Sequence, residues 1–201
     1  MPARLFLLDA SNFLFRAFHA TSARAGSESS LSTSAGMPTN AVLVFTNMLR
    51  KLMREQAPTH FLCVFDAPGA KNARKALYAD YKATRAKTPE DLLPQLPYFR
   101  PIARALGTTV LDHEALEADD LIATMALKAH AQGTDVVIVS SDKDFYQLIG
   151  TGVAIYDAMK DKWIDRDACV EKFGVGPEQV VEVQGLIGAD VDNIPGIDGV
   201  G

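Results

Sequence analysis

Three short apolar runs in this chain each lead to a carboxylate. Residues 4–8 run into Asp9, residues 61–65 into Asp66, and residues 136–139, after two serines, into Asp142. Apolar runs of four or five residues, rich in Phe, Leu and Val, read as buried strands rather than helices. Segments of helical period lie between them, at 12–20, 39–56, 96–106 and 117–131. In the second of these Val42, Phe45, Leu49, Leu52 and Met53 share one face. A further strand is expected at 108–111, a hairpin at the sheet edge from 153–156 and 162–164, and helices at 167–173 and 177–187. Strands alternating with helices predict an α/β fold, a mostly parallel central sheet with helices on both faces. Ligands of such sheets bind beyond the carboxyl ends of the strands. Three separate strands therefore deliver three acids to one edge.

More acids accompany them. Glu117, Asp119 and Asp120 open a helix, Asp144 follows Asp142, and Asp190 and Asp192 lie near the C-terminal end. Carboxylates gathered from distant parts of a chain repel one another unless cations lie between them. Mg²⁺ prefers oxygen donors and takes one or two carboxylates directly, so this many acids fit two ions. Two ions ~3.5–4 Å apart can hold a phosphate, activate a water and stabilise a leaving oxygen. No histidine stands at a strand end, which disfavours a histidine-bound zinc. Any one strand-end acid also reads as a turn residue or helix cap; three at one edge do not. Glu117 and Asp119 diverge by ~200° on an ideal helix, so both face one site only if they lie at its frayed first turn. Asp120 reads equally as a ligand, a supporting residue or a complement to the helix dipole. Asp144 either shares an ion with Asp142 or caps a helix beginning at Phe145.

The net charge of −5 hides an asymmetry. Residues 71–104 carry eight cations (Lys71, Arg74, Lys75, Lys82, Arg85, Lys87, Arg100 and Arg104) against three acids, so the remainder carries −10. Cations bound to the acidic clusters would leave a surface open to a polyanion. No apolar run approaches the ~20 residues that span a bilayer. The opening apolar run is too short for a signal-peptide core. Cys63, inside an apolar strand, and the distant Cys169 read as reduced thiols. The chain reads as cytoplasmic. Residues 22–36, rich in Ser, Gly and Ala, read as a mobile loop.

Several strings together resemble the 5′-nuclease domain of bacterial DNA polymerase I, within the flap-endonuclease superfamily. They are Leu7-Leu8-Asp9-Ala10-Ser11-Asn12, Arg16-Ala17-Phe18-His19-Ala20, Val64-Phe65-Asp66, Tyr81-Lys82-Ala83-Thr84-Arg85, Glu117-Ala118-Asp119-Asp120, Ser141-Asp142-Lys143-Asp144 and Asp192-Asn193-Ile194-Pro195-Gly196. They occur in the family's order and span nearly the whole chain. The resemblance implies a PIN-like (Rossmann-like) fold over residues 1–187 and two Mg²⁺ or Mn²⁺ ions. It implies hydrolysis of DNA at 5′ flaps and 5′ ends, in replication and repair. Asp9, Asp66, Glu117 and Asp119 would serve the first ion; Asp119, Asp142, Asp144 and an acid near 190 the second. Arg16, Lys82 and Arg85 would contact or steer the scissile phosphate. Residues 71–93 would form a bridge over the site, with Arg74 on DNA and Tyr81 stacking on bases. The implied partner is DNA with a 5′ flap or 5′ end, met by a monomer that contacts no membrane. A polymerase region can follow in the intact protein.

Two departures stand out. The bacterial pattern Gly-Asp-x-x-Asp-Asn appears here as Gly188-Ala189-Asp190-Val191-Asp192-Asn193. Either Asp190 substitutes, in the Gly-x-Asp order of archaeal and eukaryotic flap nucleases, or the second site is weakened; an Asp→Ala change at 189 gives the same string. The second departure is length: Gly199-Val200-Gly201 resembles the opening of a helix–hairpin–helix turn, so residues 188–201 read as the start of a truncated DNA-binding region. Two alternatives remain beside the nuclease: a DNA-binding module without catalysis, and a PIN-type ribonuclease. The second is not expected to carry the basic bridge.

Overall fold

Residues 3–22, 31–150 and 152–200 are described by the computed structural model. Among these residues six strands form one sheet: β1 (Arg4–Asp9), β2 (His60–Val64), β3 (Thr109–Leu111), β4 (Asp135–Val139), β5 (Val153–Asp157) and β6 (Lys162–Ile164). Their order is β3-β2-β1-β4-β5-β6. Pairing is parallel from β3 through β5, and β6 returns antiparallel to β5, the expected edge hairpin. From β1 the chain goes first to β2 on one side and later to β4 on the other. That reversal of strand order opens a crevice beyond the carboxyl ends of β1 and β4. In register, Asp9 lies beside Val64 and Leu8 beside Val139. Asp66 and the 140–142 turn therefore emerge at the same edge as Asp9.

Alternation along β1 sends side chains to opposite faces. Phe6 and Leu8 join a core with helices α1 (Ala10–Ser22), α2 (Asn40–Gln56) and α4 (Leu96–Ala105). Its centre is Phe45, in edge-to-face contact with Phe13 at 5.7 Å and Phe99 at 5.0 Å, a geometry that adds about 0.5–1.5 kcal/mol per pair beyond burial. Leu5 and Leu7 join the opposite core with α5 (Ala118–Ala131), through Ile122 and Ala126, and with Ile138 and Ile155. Helices α6 (Arg166–Phe173) and α7 (Val180–Ile187) add Cys169 and Val180 on that side.

Helix α1 starts two residues earlier than the apolar pattern predicts. Asp9 accepts the Asn12 N–H at 3.0 Å, which satisfies one of the first turn's orphan donors. The basic segment 70–93 contains a short helix, α3 (Asn72–Leu77), that the sequence does not announce; it has no buried residue and so no apolar period to read. Of the predicted loop at 22–36, residues 23–30 lie outside the described residues. Residues 31–39 close a turn through a Ser32–Pro38 bridge and the Thr39 N–H on the Leu31 carbonyl. Among the described residues no helix is long and apolar enough to cross a membrane.

Candidate functional site

Each acid at the sheet edge is fixed by a neighbour's donor. Asp9 is only 7% exposed; one oxygen takes the Asn12 N–H and the other the Ser140 hydroxyl at 3.0 Å. Asp66 accepts the Ala118 N–H at 2.8 Å, and its own N–H donates to Ser11 Oγ at 2.8 Å. Asp142 caps the 3₁₀ turn Lys143–Leu148 by accepting the Asp144 N–H at 3.0 Å. The cap is thus Asp142 rather than Asp144, whose carboxylate takes Gln184 Nε2 at 2.5 Å. Glu117 precedes α5 in an extended conformation (φ −72°, ψ 160°). Being outside the helix, it escapes the angular divergence from Asp119.

The bridge lies down on Glu117, on Asp119 and Asp120 of α5 and on Asp192. Arg74 of α3 pairs with Glu117, with Asp119 at 3.6 Å and with Asp120 at 2.8 Å. Lys82 Nζ is 2.7 Å from Glu117 and 3.9 Å from Asp192. It stands 4.8 Å from the centroid of the Tyr81 ring, whose hydroxyl donates to Glu117 at 2.7 Å. Arg85 pairs with Asp192 at 2.9 Å. The backbone joins in: the Lys82 N–H donates to the Asp192 carbonyl, and the Asn193 amide to that of Asp80. Lys82 adopts a left-handed conformation, φ 55°, uncommon for a residue with a side chain; it turns both its N–H and its ammonium into the site.

Electrostatics divide the acids. Burial pushes Asp9 up to about 7, helped by Asp142 and Asp66 and opposed by its donors Asn12 and Ser140. Burial lifts Asp119 to about 6; Arg74 opposes this, while Asp120 and Glu117 add to it. Burial also raises Asp142. Burial pushes Glu117 the same way, but Lys82, Tyr81 and Arg74 outweigh it and hold its carboxyl below the usual range. An all-carboxylate set without histidine or cysteine suits a hard cation. Acids held near neutrality by burial and mutual repulsion are those that added positive charge would stabilise most. Among the described residues no three acids converge tightly enough to enclose an ion; Arg74 and Lys82 hold Glu117, Asp119, Asp120 and Asp192 instead. The donor chemistry fits divalent ions, provided the bridge cations move.

A cleft of about 690 Å³ opens beside the cluster, lined by Arg74, Tyr78, Tyr81, Asp119, Asp144 and Asp192, among others. Asp190 does not join. Residues Asp190–Asp192 form a single 3₁₀ turn, on which positions two apart point about 120° from each other. With Asp192 turned to the bridge, Asp190 is left exposed. Arg16 also stands apart from the acids, held by Asp157 at 2.9 and 3.2 Å. Sequence reasoning overlooked Asp157, although it too ends an apolar strand; the rule that found Asp9 applies to it equally. It also overlooked Ser140 and Ser11, whose only signal was a serine after a strand, and Gln184, inside α7, which had none.

A family model described as the 5′-3′ exonuclease N-terminal resolvase-like domain matches residues 4–174. DNA polymerase I of Rhizobium leguminosarum is 46% identical over 98% of this chain, which spans 19% of that protein. A 5′-3′ exonuclease of Aquifex aeolicus is 41% identical over 98% of this chain and 65% of its own length. The chain thus spans only part of the curated relatives it matches. In fold it is similar to the bacteriophage T5 flap endonuclease solved as a pseudo-enzyme-product complex with DNA and metal ions. That likeness has a TM-score of 0.74 at 20% identity and covers 98% of this chain and 71% of that one. On the matched domain and these identities, the chain belongs to the 5′-3′ exonuclease family, within its N-terminal resolvase-like domain.

Proposed function

We propose that this chain is the catalytic portion of a structure-selective 5′ nuclease. It would hydrolyse DNA phosphodiesters at 5′ flaps and 5′ ends with two divalent cations, Mg²⁺ or Mn²⁺. The observation that supports this most is the facing of two charge groups: Arg74, Lys82 and Arg85 of the bridge pair with Glu117, Asp119, Asp120 and Asp192, at the same sheet edge where β1, β2 and β4 deliver Asp9, Asp66 and Asp142.

In this reading Asp9, Asp66, Glu117 and Asp119 hold the first cation; Asp119, Asp142, Asp144 and Asp192 hold the second, with Asp120 supporting. Asp190 stays outside. Bound there, divalent cations supply Lewis-acid activation of water and stabilisation of the leaving oxygen. Lys82 and Arg85 clamp the phosphate as they leave the carboxylates, Arg74 binds an adjacent phosphate, and Tyr81 offers a face to a base. Arg16 steers the strand from the end of the Asp157 pair. The intact protein works as a monomer in the cytoplasm, and a polymerase region can follow this domain.

A cleavage assay on a 5′-labelled flap duplex, with Mg²⁺, Mn²⁺ or chelator, tests the reading. Metal-dependent release of the flap, lost in Asp119→Asn, is expected. DNA binding without cleavage under either metal would instead leave a binding module, the reading that Ala189 favours. Cleavage confined to the matching RNA would favour the ribonuclease.

A further inference from the structure

Four polar side chains that carry none of the acid roles above tie the strand ends together. Ser11, just after β1, accepts the Asp66 N–H at 2.8 Å. Ser141, after β4, donates to Asn12 Oδ1 in the first turn of α1 at 3.1 Å. Ser140 lies between them at the carboxyl end of β4, beside the reversal in strand order. It is 5% exposed. Its hydroxyl donates to Asp9 Oδ2 at 3.0 Å and accepts the Asp142 N–H at 3.1 Å. The single proton and an accepting lone pair are both engaged. One buried hydroxyl thus links an acid assigned to the first cation with the turn carrying an acid assigned to the second.

We propose that Ser140 is a positioning residue for divalent-cation binding, setting the orientation of Asp9 and the placement of Asp142 relative to it. The inference rests on the metal reading above. Its physical basis is that a carboxylate ligand aimed by a fixed donor loses less freedom when it grips an ion. Among the described residues Asp9 has two such donors. The Asn12 N–H comes from α1, the helix that Asp9 leads into, and moves with it; of the two, Ser140 is the one that refers Asp9 to the neighbouring strand. Removing the hydroxyl frees one Asp9 oxygen to rotate and leaves the Asp142 N–H without its acceptor.

Calorimetric titration of Mn²⁺ into the wild type, Ser140→Ala, Ser140→Thr and Thr108→Val, with a melting curve for each, provides the test. Thr108 is the control: an equally buried hydroxyl, 5% exposed, bonded to the Ala103 carbonyl before β3. Outer-sphere hydrogen bonds of this kind are worth about 10–100-fold in metal affinity. Ser140→Ala is expected to bind Mn²⁺ at least about tenfold more weakly, while Ser140→Thr, which keeps the hydroxyl, stays within about threefold of wild type. Thr108→Val should lose melting temperature with wild-type affinity. Should Ser140→Ala not fold, Ser140→Cys is read in its place, because it keeps the volume with only a weak S–H donor. Ser140→Ala (or Cys) affinity within about twofold of wild type overturns the inference alone. An equal loss in Thr108→Val also overturns it, because general destabilisation would then explain the effect. A wild type that binds no Mn²⁺ overturns the metal reading and the inference with it.

Discussion

Replacing Lys82 with Met removes the most buried cation of the site and leaves its carbon stem. Lys82 and Glu117 side chains are each 8% exposed and 2.7 Å apart. Removing one member of a buried pair costs about 3–5 kcal/mol, because the other charge stays buried and uncompensated. Glu117 keeps Arg74 and the Tyr81 hydroxyl, so the loss here belongs at or below that range, about 2–3 kcal/mol. For a chain of 201 residues, each kcal/mol moves the melting temperature by about 2–4 °C. A fall of about 5–10 °C in chelator is therefore expected. Saturating Mn²⁺ should then narrow the gap. An ion at the acids replaces the charge that Lys82 supplied, and in the variant it no longer has to displace Lys82, only Arg74 and Arg85. A ligand at 1,000 times its Kd adds about 4.1 kcal/mol, enough to cover the deficit. Differential scanning fluorimetry in chelator and in a Mn²⁺ series makes the comparison. An identical gap under both conditions would refute the idea that bridge and cation use the same carboxylates.

Other positions give independent expectations. Gly188→Ala should cost at least about 2 kcal/mol, because φ 75° with ψ −170° is a region open almost only to glycine. A Cβ there would also meet the Gly196 nitrogen and, at 2.5 Å, the Ile194 carbonyl; chemical denaturation with a near-wild-type midpoint would contradict this. Arg16→Ala should destabilise more than Asp157→Ala: Asp157 is 3% exposed and keeps its charge inside, while Arg16, at 24%, can turn to water. The reverse order of melting temperatures would show that the pair is not held as described.

The sequence carries the sheet edge clearly because a buried strand needs an unbroken apolar run, and the first polar residue after it marks the carboxyl end. Asp9, Asp66 and Asp142 are legible for that reason. The pairing of Arg16 is not, since its partner lies 141 residues away and nothing local distinguishes an arginine bound to protein from one open to solvent. Helix α3 is hidden because all its side chains face outward or toward charges. The bridge reads from composition as a basic, solvated segment, yet Tyr81 is 4% exposed. That burial comes from the acids beneath it, a tertiary cause invisible along the chain. The choice between Asp190 and Asp192 likewise depends on a turn closed by the Ala189–Ile194 bridge, whose orientation is set by Arg85 and Lys82.

A crystal soaked in Mn²⁺ and measured at the manganese edge addresses the metal site most directly. Two anomalous peaks ~3.5–4 Å apart are expected, one against Asp9, Asp66, Glu117 and Asp119 and one against Asp119, Asp142, Asp144 and Asp192. Lys82 should have left Glu117. No peak at this edge, or Lys82 still seated on Glu117 beside bound ions, would contradict the assignment of these acids to divalent cations in exchange for the bridge.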